Sequence, residues 1–259
     1  SVLVNINRFE HPLSSRFDEQ DAFVIFDDVE VPRDRLFIDA NLAVYNSVMK
    51  NSWWPNIMQQ TMIRAQTKLE FAYGLATRIT KTINLAQPQA QQMLGEITMF
   101  AEFARAAVFA AEQAARHYGN GLWCCDVRPL IALRAALPTW FPRVNEIIRL
   151  IGSHNLLTTP SRAALADASL RPLIDRYLVG TDIDAEQRSR LFRLAWDFTG
   201  TALGSRNEQY ERFYLGSSGR NLGMAHMLAD RTRANRLVDR FLLEELDEPA
   251  ALRPAAAAS

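Results

Sequence analysis

The sequence has little cysteine, and the placement of what it has excludes the common uses of that residue. Only two cysteines occur among 259 residues, and they are adjacent, at Cys124 and Cys125. Vicinal cysteines rarely bridge each other, and a zinc site needs further ligands at matching spacings. The acidic residue that follows them, Asp126, disfavours a thiolate. The pair is therefore interpreted as packed, in a protein of a reducing cytoplasm.

An excess of charge of either sign is also missing. Lysine and arginine total 29, and aspartate and glutamate total 29. A nucleic-acid-binding surface needs a positive excess to neutralise phosphates, so this balance predicts no nucleic-acid partner. No apolar run approaches the roughly 18 residues of a membrane helix, and no signal peptide opens the chain, so no membrane partner is predicted. Apolar residues still make up 48% of the chain, enough for a substantial core.

Paired metal ligands and the common catalytic motifs are absent as well. The four histidines belong to no paired-ligand motif such as H-E-x-x-H. A di-iron bundle needs Glu-x-x-His on two helices, and the chain contains none. Nucleophile-elbow, Walker and GxGxxG motifs do not occur either. The sequence therefore predicts no metal site.

What the sequence does contain is a change of hydrophobic period near residue 40. The first part has short β-like runs such as Ala22–Phe26, and Pro32 limits the next run because proline cannot donate a ladder hydrogen bond. Beyond it the apolar spacing becomes three and four, as in amphipathic helices. The chain begins without Met inside a strand-like run, so we expect the C-terminal part of a longer protein. The expected division is 1–38 as the end of a β domain, 39–246 as a helical bundle and 247–259 as a disordered tail.

Several long periodic stretches predict the helices of a bundle, so the expected fold class is mainly α. Apolar faces left over on these stretches favour a homo-oligomer. The predicted helices run from Ser52 or Pro55 past Ala76, from Gln89 to Tyr118, from Pro138 to Ile151, from Asp184 as far as Tyr214, and from Met224 to Leu246.

Two segments place glycine beside hydroxyl residues at the ends of long helices. They are EQYERFYLGSSGRN (208–221) and IGSHNLLTTPS (151–161). Glycine lets a ligand approach the backbone, and free N–H groups at a helix start attract phosphate, which suits a nucleotide pyrophosphate. Glycine and serine also cap helices for purely structural reasons. Arg64 and Arg206 lie in apolar helix patterns and are expected to pair with phosphate or with a carboxylate such as Glu208 or Glu211.

Several segments, in order along the chain, resemble one family. They are HPLSSRFDEQDAFVIFDDVEVPRDRLF (11–37), RAQTKLEFAYGLA (64–76), IGSHNLLTTPS (151–161) and LFRLAWDFTGTALGSRNEQYERFYLGS (191–217). Together they are similar to the oxygenase components of 4-hydroxyphenylacetate 3-monooxygenases, which are two-component, flavin-dependent aromatic hydroxylases. The resemblance implies an acyl-CoA dehydrogenase-like fold. Residues 1–38 would then end its middle β domain, and the helices would form its C-terminal four-helix bundle.

The resemblance implies a flavin-contacting wall rather than a catalytic centre in this chain. FAD would lie between the β domain and helical bundles, with adjacent subunits contributing. The family's main substrate-binding and catalytic residues lie upstream of the matched segments, so no catalytic residue is carried over. The residues expected to contact the cofactor are Tyr214, Gly216, Ser217 and Ser218 at the flavin-side turn, Gly152 and Ser153 near the nucleotide part, and Arg64 facing the pyrophosphate.

The implied reaction is the ortho-hydroxylation of a phenol with FADH2 and O2. A separate NAD(P)H-dependent flavin reductase would supply FADH2, and the helices would exclude water from it. The expected phenol is 4-hydroxyphenylacetate, a chlorophenol or a tyrosine derivative, free or tethered to a carrier protein. The implied assembly is a homotetramer, a dimer of dimers.

Three other interpretations remain open from the residues. A 4-hydroxybutyryl-CoA dehydratase-like protein would need cysteine and histidine ligands for an iron–sulfur cluster, and the stretch NIMQQTMIRAQTKLEF (56–71) has neither. An acyl-CoA dehydrogenase-like flavoprotein would use a bundle glutamate as its base, and Glu96 and Glu102 lie on a suitable helix. The third interpretation is a helical assembly module without a cofactor.

Overall fold

The structure is a computed structural model that describes residues 7–18, 21–48, 51–119 and 121–243, and it is mainly helical. Within these residues, no helix is both long and apolar enough to cross a membrane. The elements are α1 (Ser14–Phe17), a 3-10 turn (Arg33–Arg35), α2 (Leu42–Ser47), α3 (Trp53–Thr82), α4 (Pro88–Gln113), β1 (Arg116–Gly119), β2 (Leu122–Cys124), α5 (Val127–Gly152), α6 (Asn155–Thr158), α7 (Arg162–Ala166), α8 (Arg171–Tyr177), α9 (Ala185–Thr199), α10 (Ala202–Phe213), α11 (Ser218–Leu228) and α12 (Thr232–Leu243).

Helix α5 is the centre of the packing and contacts α3, α4, α9, α10 and α11. Its buried stripe recurs at helical spacing, and the stripe includes Leu130, Leu137, Val144 and Ile151. Helices α3 and α4 cover this stripe with buried apolar residues of their own. The helix predicted from Ser52 or Pro55 past Ala76 is confirmed as α3.

The start predicted for α5 at Pro138 is wrong, because the helix begins eleven residues earlier, at Val127. Asp126 caps this start by accepting a hydrogen bond from the Arg128 backbone N–H at 3.0 Å. Pro138 and Pro142 both lie inside the helix. Proline is typical of a first helical turn, and this preference misplaced the start in the prediction. Tertiary packing keeps the helix intact across two prolines.

The helix predicted from Gln89 to Tyr118 ends earlier than expected, at Gln113. The residues beyond it form a β-hairpin in which Arg116 pairs with Cys124 and His117 with Trp123. Gly119 and Gly121 adopt φ of 98° and 75°, which suits a tight hairpin turn. The helix does not continue here because the second strand supplies hydrogen-bond partners for the backbone of the first. Local hydrophobic periodicity does not reveal this pairing.

Two predicted long helices are each divided in the structure. Asp184 does start α9, in a capping box with Gln187, but the helix ends at Thr199 rather than continuing to Tyr214. The Thr201 side chain accepts from the Gly204 backbone N–H and starts α10 anew. The helix predicted from Met224 to Leu246 is instead α11 and α12, and α11 already begins at Ser218. Local caps therefore decide these boundaries.

The strand expected at Ala22–Phe26 is wrong for the described chain. These residues are extended and unpaired, and Phe23 is 93% exposed. A strand requires a neighbour to accept and donate its ladder hydrogen bonds, and the described residues provide none at this position. The strand-like run within 1–6 and the predicted tail at 247–259 lie outside the described residues.

One buried carboxylate fixes the segment before this extended region onto the bundle. Asp197, on α9, is fully buried and accepts from the backbone N–H groups of Leu13 and Ser14 at 2.7 and 2.8 Å. It also accepts from the hydroxyl groups of Ser14 and Thr201. The carboxylate therefore replaces the water that would otherwise solvate the start of α1.

Candidate functional site

The corner between α10 and α11, residues 214–217, holds most of the residues predicted to contact a cofactor. Tyr214 follows the last residue of α10, and Leu215 inserts its side chain into the core. Gly216 has φ of 88°, a conformation that glycine adopts without strain. Ser217 then caps α11, and its hydroxyl accepts from the Arg220 backbone N–H at 3.4 Å. The corner is thus a sharp turn that leads directly into a helix N-terminus.

Two side chains from neighbouring helices hold this corner in place. Arg134, on α5, donates from Nε to the Leu215 carbonyl oxygen at 2.8 Å, and its guanidinium lies 5.4 Å from the Trp54 ring centroid. Asn221, on α11, is 1% exposed and donates from Nδ2 to the Gly216 carbonyl oxygen at 3.1 Å. The carbonyl groups of Leu215 and Gly216 are therefore both satisfied by the protein itself.

Beside the corner, a buried carboxylate joins α10 to α3. Glu211 is 1% exposed and accepts from the Arg64 guanidinium at 2.5 and 3.1 Å and from Lys68 Nζ at 3.0 Å. Arg64 was expected either to face a pyrophosphate or to pair with a carboxylate such as Glu211, and this pair is what forms. The other arginine considered, Arg206, pairs with Asp18.

The titration properties of this cluster follow from burial and from the mutual charges. Burial opposes ionisation of Glu211, but hydrogen bonding by Arg64 and the charges of Arg64 and Lys68 outweigh it and lower the pKa of the carboxyl. Burial lowers the pKa of Lys68 in spite of its acidic partner. Burial also raises the pKa of Tyr210 to about 12, and Tyr214 contributes to that rise. The cluster holds two cations against one carboxylate, so its formal charge is positive.

An aromatic pair lies on the exposed side of the cluster. The rings of Tyr210 and Tyr214 stack with their centroids 4.4 Å apart. The Arg64 guanidinium lies 5.6 and 5.8 Å from the two ring centroids. Because Tyr214 is about half exposed, its ring presents a flat apolar surface next to a cation. The structure therefore brings Arg64 and Tyr214 together.

A small cavity opens on the other side of the corner. It has a volume of about 360 Å³, and its walls are formed by Pro138, Thr139, Pro142, Arg212, Phe213, Ser217 and Ser218. Ser217 and Ser218 therefore line this cavity and also form the start of α11. That position suits hydrogen bonding to a ligand at the N-terminus of α11.

Gly152 and Ser153 lie elsewhere. They lie at the C-terminal end of α5, whereas the corner packs against the part of this helix between Arg134 and Pro142. At the usual helical rise of 1.5 Å per residue, Gly152 lies about 15 Å beyond Pro142. A Cβ atom on Gly152 would lie 2.6 Å from Leu156 Cγ, so helix packing fills that face. Ser153 is exposed, with φ of 48°. The chain therefore does not bring these two residues into the corner.

Sequence reasoning missed Arg134, Arg220 and Asn221, although all three surround the corner. Arg134 lies in the first part of α5, which the prediction left outside any helix. The signal that identifies this part is Asp126 as a cap, followed by apolar residues at helical spacing. Asn221 follows the glycine–serine stretch directly, but only the folded turn shows that its amide reaches back to Gly216.

The residues on which the alternative interpretations depend already form structural contacts or are buried. Glu96 accepts from Arg143 at 2.8 and 2.9 Å, and Glu102 pairs with Arg105. Both cysteines are buried thiols, and no group of three or more potential metal ligands occurs in the described residues. Glu96 thus already has a cationic partner, whereas a base for an acyl-CoA substrate would need to be free.

Comparison with known proteins gives a consistent result over both parts of the chain. Residues 46–243 match the family model described as 4-hydroxyphenylacetate 3-hydroxylase C terminal, and residues 3–38 match its N-terminal counterpart. A probable 4-hydroxyphenylacetate 3-monooxygenase of Bacillus subtilis is 36% identical over 218 residues, which are 83% of this chain and 45% of that protein. The oxygenase component of the Thermus thermophilus 4-hydroxyphenylacetate 3-monooxygenase is 34% identical over 240 residues, 92% of this chain and 50% of that protein.

A solved structure matches the fold as well. The crystal structure of a 4-hydroxyphenylacetate 3-monooxygenase oxygenase component, complexed with FAD and 4-hydroxyphenylacetate, aligns with a TM-score of 0.85 and 32% identity over 93% of this chain and 51% of that chain. The fold is thus that of the helical part of an oxygenase component. With the family match over residues 46–243, the chain belongs to the 4-hydroxyphenylacetate 3-hydroxylase family. It spans about half the length of the curated relatives it matches.

Two more distant likenesses bear on the alternatives. A 4-hydroxybutyryl-CoA dehydratase from N. maritimus aligns with a TM-score of 0.58 and 17% identity over 73% of this chain and 38% of that chain, which shows a shared fold only. A Streptomyces globisporus monooxygenase is 29% identical over 218 residues, 81% of this chain and 40% of that protein. Its substrate is a 3-amino-3-(3-chloro-4-hydroxyphenyl)propanoyl group on a peptidyl carrier protein.

Proposed function

We propose that this chain is part of the oxygenase component of a two-component, flavin-dependent monooxygenase that hydroxylates a phenol ortho to its hydroxyl group. Family membership over most of the chain, with the close match to an FAD-complexed oxygenase component, carries this proposal. The proposed substrates are 4-hydroxyphenylacetate, a chlorophenol or a tyrosine derivative, free or carrier-bound. The proposed partners are a separate NAD(P)H-dependent flavin reductase and further copies of the chain, as a dimer of dimers.

Within such a protein, we assign residues 1–38 to the end of a middle β domain and residues 39–246 to an acyl-CoA dehydrogenase-like four-helix bundle. The exposed apolar residues of the extended segment support this division. Phe23, Phe26 and Phe37 are 93%, 80% and 100% exposed. Apolar surface of this extent is usually covered by other protein, and a β domain packed on the bundle would cover it.

The corner provides features that fit FAD, in its reduced form FADH2. Gly216 leaves open the space that a side chain would fill, and Asn221 Oδ1 is a buried acceptor without a partner among the described residues. Tyr214 presents a flat ring surface, and Ser217 and Ser218 start a helix whose first N–H groups favour phosphate oxygens. Bound FADH2 would supply oxygen activation and transfer, while this chain binds it, orients it and excludes water.

Three further proposed contacts, Arg64, Gly152 and Ser153, lie outside the turn itself. Arg64 reaches the Tyr214 ring, but it is also committed to Glu211, so it would act chiefly by holding the ring surface in place. Gly152 has its open face filled by Leu156, and Ser153 is the exposed member of that pair. Because this pair lies far along α5 from the corner, we propose that it contacts a different part of the cofactor, or a cofactor held mainly by another subunit.

A direct test combines binding with turnover. The natural polypeptide that contains this chain is titrated anaerobically with FADH2, and it is then supplied with NADH, a generic flavin reductase and each phenol in air. We expect FADH2 binding and a catechol product that depends on the polypeptide. Absence of binding to any flavin, or absence of catechol from every phenol with the cofactor bound, would refute the proposal.

A matched pair of variants tests the role of the corner. Tyr214 and Tyr118 are both 48% exposed, but Tyr118 lies on the β-hairpin. Tyr214→Ala is expected to weaken FADH2 binding by up to about tenfold, since an aromatic pair contributes roughly 0.5–1.5 kcal/mol. Tyr118→Ala is expected to leave it unchanged. An equal effect of both variants would argue against the corner as the binding site.

A further inference from the structure

A further cavity, of about 430 Å³, lies where the end of α3 meets the starts of α6 and α9. Its walls are formed by Thr82, Ile83, Asn155, Val179, Gly180, Thr181 and Arg188. None of these wall residues is acidic, and one of them, Arg188, is a cation. The cavity therefore presents positive charge to any molecule that enters it.

Arg188 is buried without a carboxylate partner. It is 9% exposed, and its guanidinium lies 4.8 Å from the Phe192 ring centroid. Among the described residues, its N–H groups have one acceptor, the Oδ1 atom of Asn155, which lies 2.7 Å from Nη2. Burial lowers the pKa of Arg188, and no acidic neighbour opposes this effect. Arginine still stays protonated at neutral pH, so a buried charge remains uncompensated.

The amide of Asn155 adds a second donor to the same space. Its Oδ1 accepts from Arg188, and this bond fixes which end of the amide is the oxygen. The Nδ2 group therefore lies on the other branch of the amide, and within the described part of the chain no acceptor bonds to it. Because an amide NH₂ group carries two donors, the cavity wall holds donors from both side chains and lacks a matching acceptor.

The backbone groups of the wall are already bonded to each other. Thr181 donates from its N–H and its hydroxyl to the Thr82 carbonyl oxygen at 2.9 and 3.2 Å. The Gly180 N–H donates to the Ile183 carbonyl oxygen at 2.9 Å. A Cβ atom on Gly180 would lie 2.7 Å from Thr82 Cγ2, so glycine permits this close approach. The loop before α9 is thus fixed to the end of α3, and the two polar side chains face a defined space.

We propose that this cavity binds a small oxyanion, a carboxylate or a phosphate, between the Arg188 guanidinium and the Asn155 amide. The planar fork of arginine matches two oxygen atoms of such an anion, and the amide donates to the same group. The anion neutralises the buried charge and joins α9 to the start of α6. This inference goes beyond the proposed function, because it concerns an anion that binds in the absence of a flavin.

The test measures anion binding by the natural polypeptide that contains this chain, with no flavin added. Thermal unfolding is followed as sodium phosphate or sodium acetate replaces sodium chloride at constant pH and ionic strength, and calorimetric titration gives the affinities. A ligand of the folded state raises the unfolding midpoint in proportion to its occupancy. Phosphate also stabilises proteins by general exclusion from their surface, so the variants below provide the decisive comparison. The two anions show whether phosphate or carboxylate is preferred.

Asn155→Asp is the principal variant, because it places a carboxylate beside Arg188 without changing the size of the side chain. We expect it to raise the unfolding midpoint in the absence of added anion and to weaken anion binding at least tenfold, which is about 1.4 kcal/mol. Arg188→Gln should weaken binding by a similar factor, and Arg188→Lys should lie between. The control is Arg190→Gln, on the same helix, since Arg190 is exposed and pairs with Glu186 outside the cavity. It should bind the anions as the unmodified protein does.

No saturable stabilisation by either anion, or equal anion binding by Asn155→Asp and the unmodified protein, would overturn the inference. A last titration is made anaerobically with saturating FADH2. We expect the anion affinity to be unchanged, and displacement of the anion by FADH2 would also overturn the inference. Because the first titrations contain no flavin, their outcome does not depend on whether the proposed function is correct.

Discussion

Replacing Glu211 by glutamine tests the cluster that supports the corner. Glu211 is 1% exposed and neutralises Lys68, whose side chain is 17% exposed, and Arg64, whose side chain is 33% exposed. Glutamine keeps the size of the side chain and removes its charge. The variant therefore leaves two cations inside the interface between α3 and α10, and Lys68 in particular has little access to water.

The expected cost is set by the buried lysine. Removing one partner of a buried ion pair costs roughly 3–5 kcal/mol, whereas exposed pairs contribute about 0–1 kcal/mol. Arg64 can turn toward solvent, so its share is discounted, and we expect Glu211→Gln to lower the free energy of unfolding by about 3 kcal/mol. Adding Lys68→Met should restore much of this loss, because no buried charge then remains beside the glutamine.

Urea unfolding at neutral pH measures this effect by the shift of the midpoint at constant slope. Glu102→Gln is the control, since Glu102 is an exposed residue paired with Arg105, and no measurable change is expected. A loss below about 1 kcal/mol for Glu211→Gln, or a double variant no more stable than the single one, would refute the argument that buried charge governs this interface.

The pH dependence of the same variant follows from the lowered pKa of Glu211. A carboxyl whose pKa in the folded state is below its ordinary value of 4.5 stabilises the fold above that value and loses the contribution as the pH falls through its folded pKa. The glutamine side chain does not titrate and makes no such contribution, so the two proteins should approach each other in stability below pH 4.5. A constant difference down to the acid range would contradict this assignment.

Three further predictions concern other positions. Asp197→Ala leaves two backbone N–H groups unsatisfied and should cost about 3 kcal/mol and speed proteolysis within residues 11–18; unchanged cleavage would contradict the anchoring role. Gly216→Ala should cost about 1–2 kcal/mol because of its positive φ, while Gly219→Ala, with open space around it, should not. Because burial raises the pKa of the Cys125 thiol, iodoacetamide should alkylate it far more slowly in the native protein than in urea.

The sequence predicted the elements whose apolar period is long and uninterrupted. Helix α3 and the Asp184 start of α9 were identified because periodicity and a cap agree there. The hairpin after α4 and the start of α5 were not, since proline and glycine signals near them have more than one structural meaning. The strand at Ala22–Phe26 did not form, because a strand depends on a partner that local sequence cannot supply.

The candidate site divides in the same way. The sequence alone predicted a glycine–serine turn after Tyr214, because glycine and serine end helices, and the resemblance of this and other segments to a flavin-dependent family supplied the expected cofactor. Only the tertiary structure decided that Glu211 pairs with Arg64 and that Gly152 lies far from the corner. It also decided that Arg134 and Asn221 donate hydrogen bonds to the backbone carbonyls at the corner. These contacts join residues distant in sequence, and they depend on how helices pack rather than on which residues are neighbours along the chain.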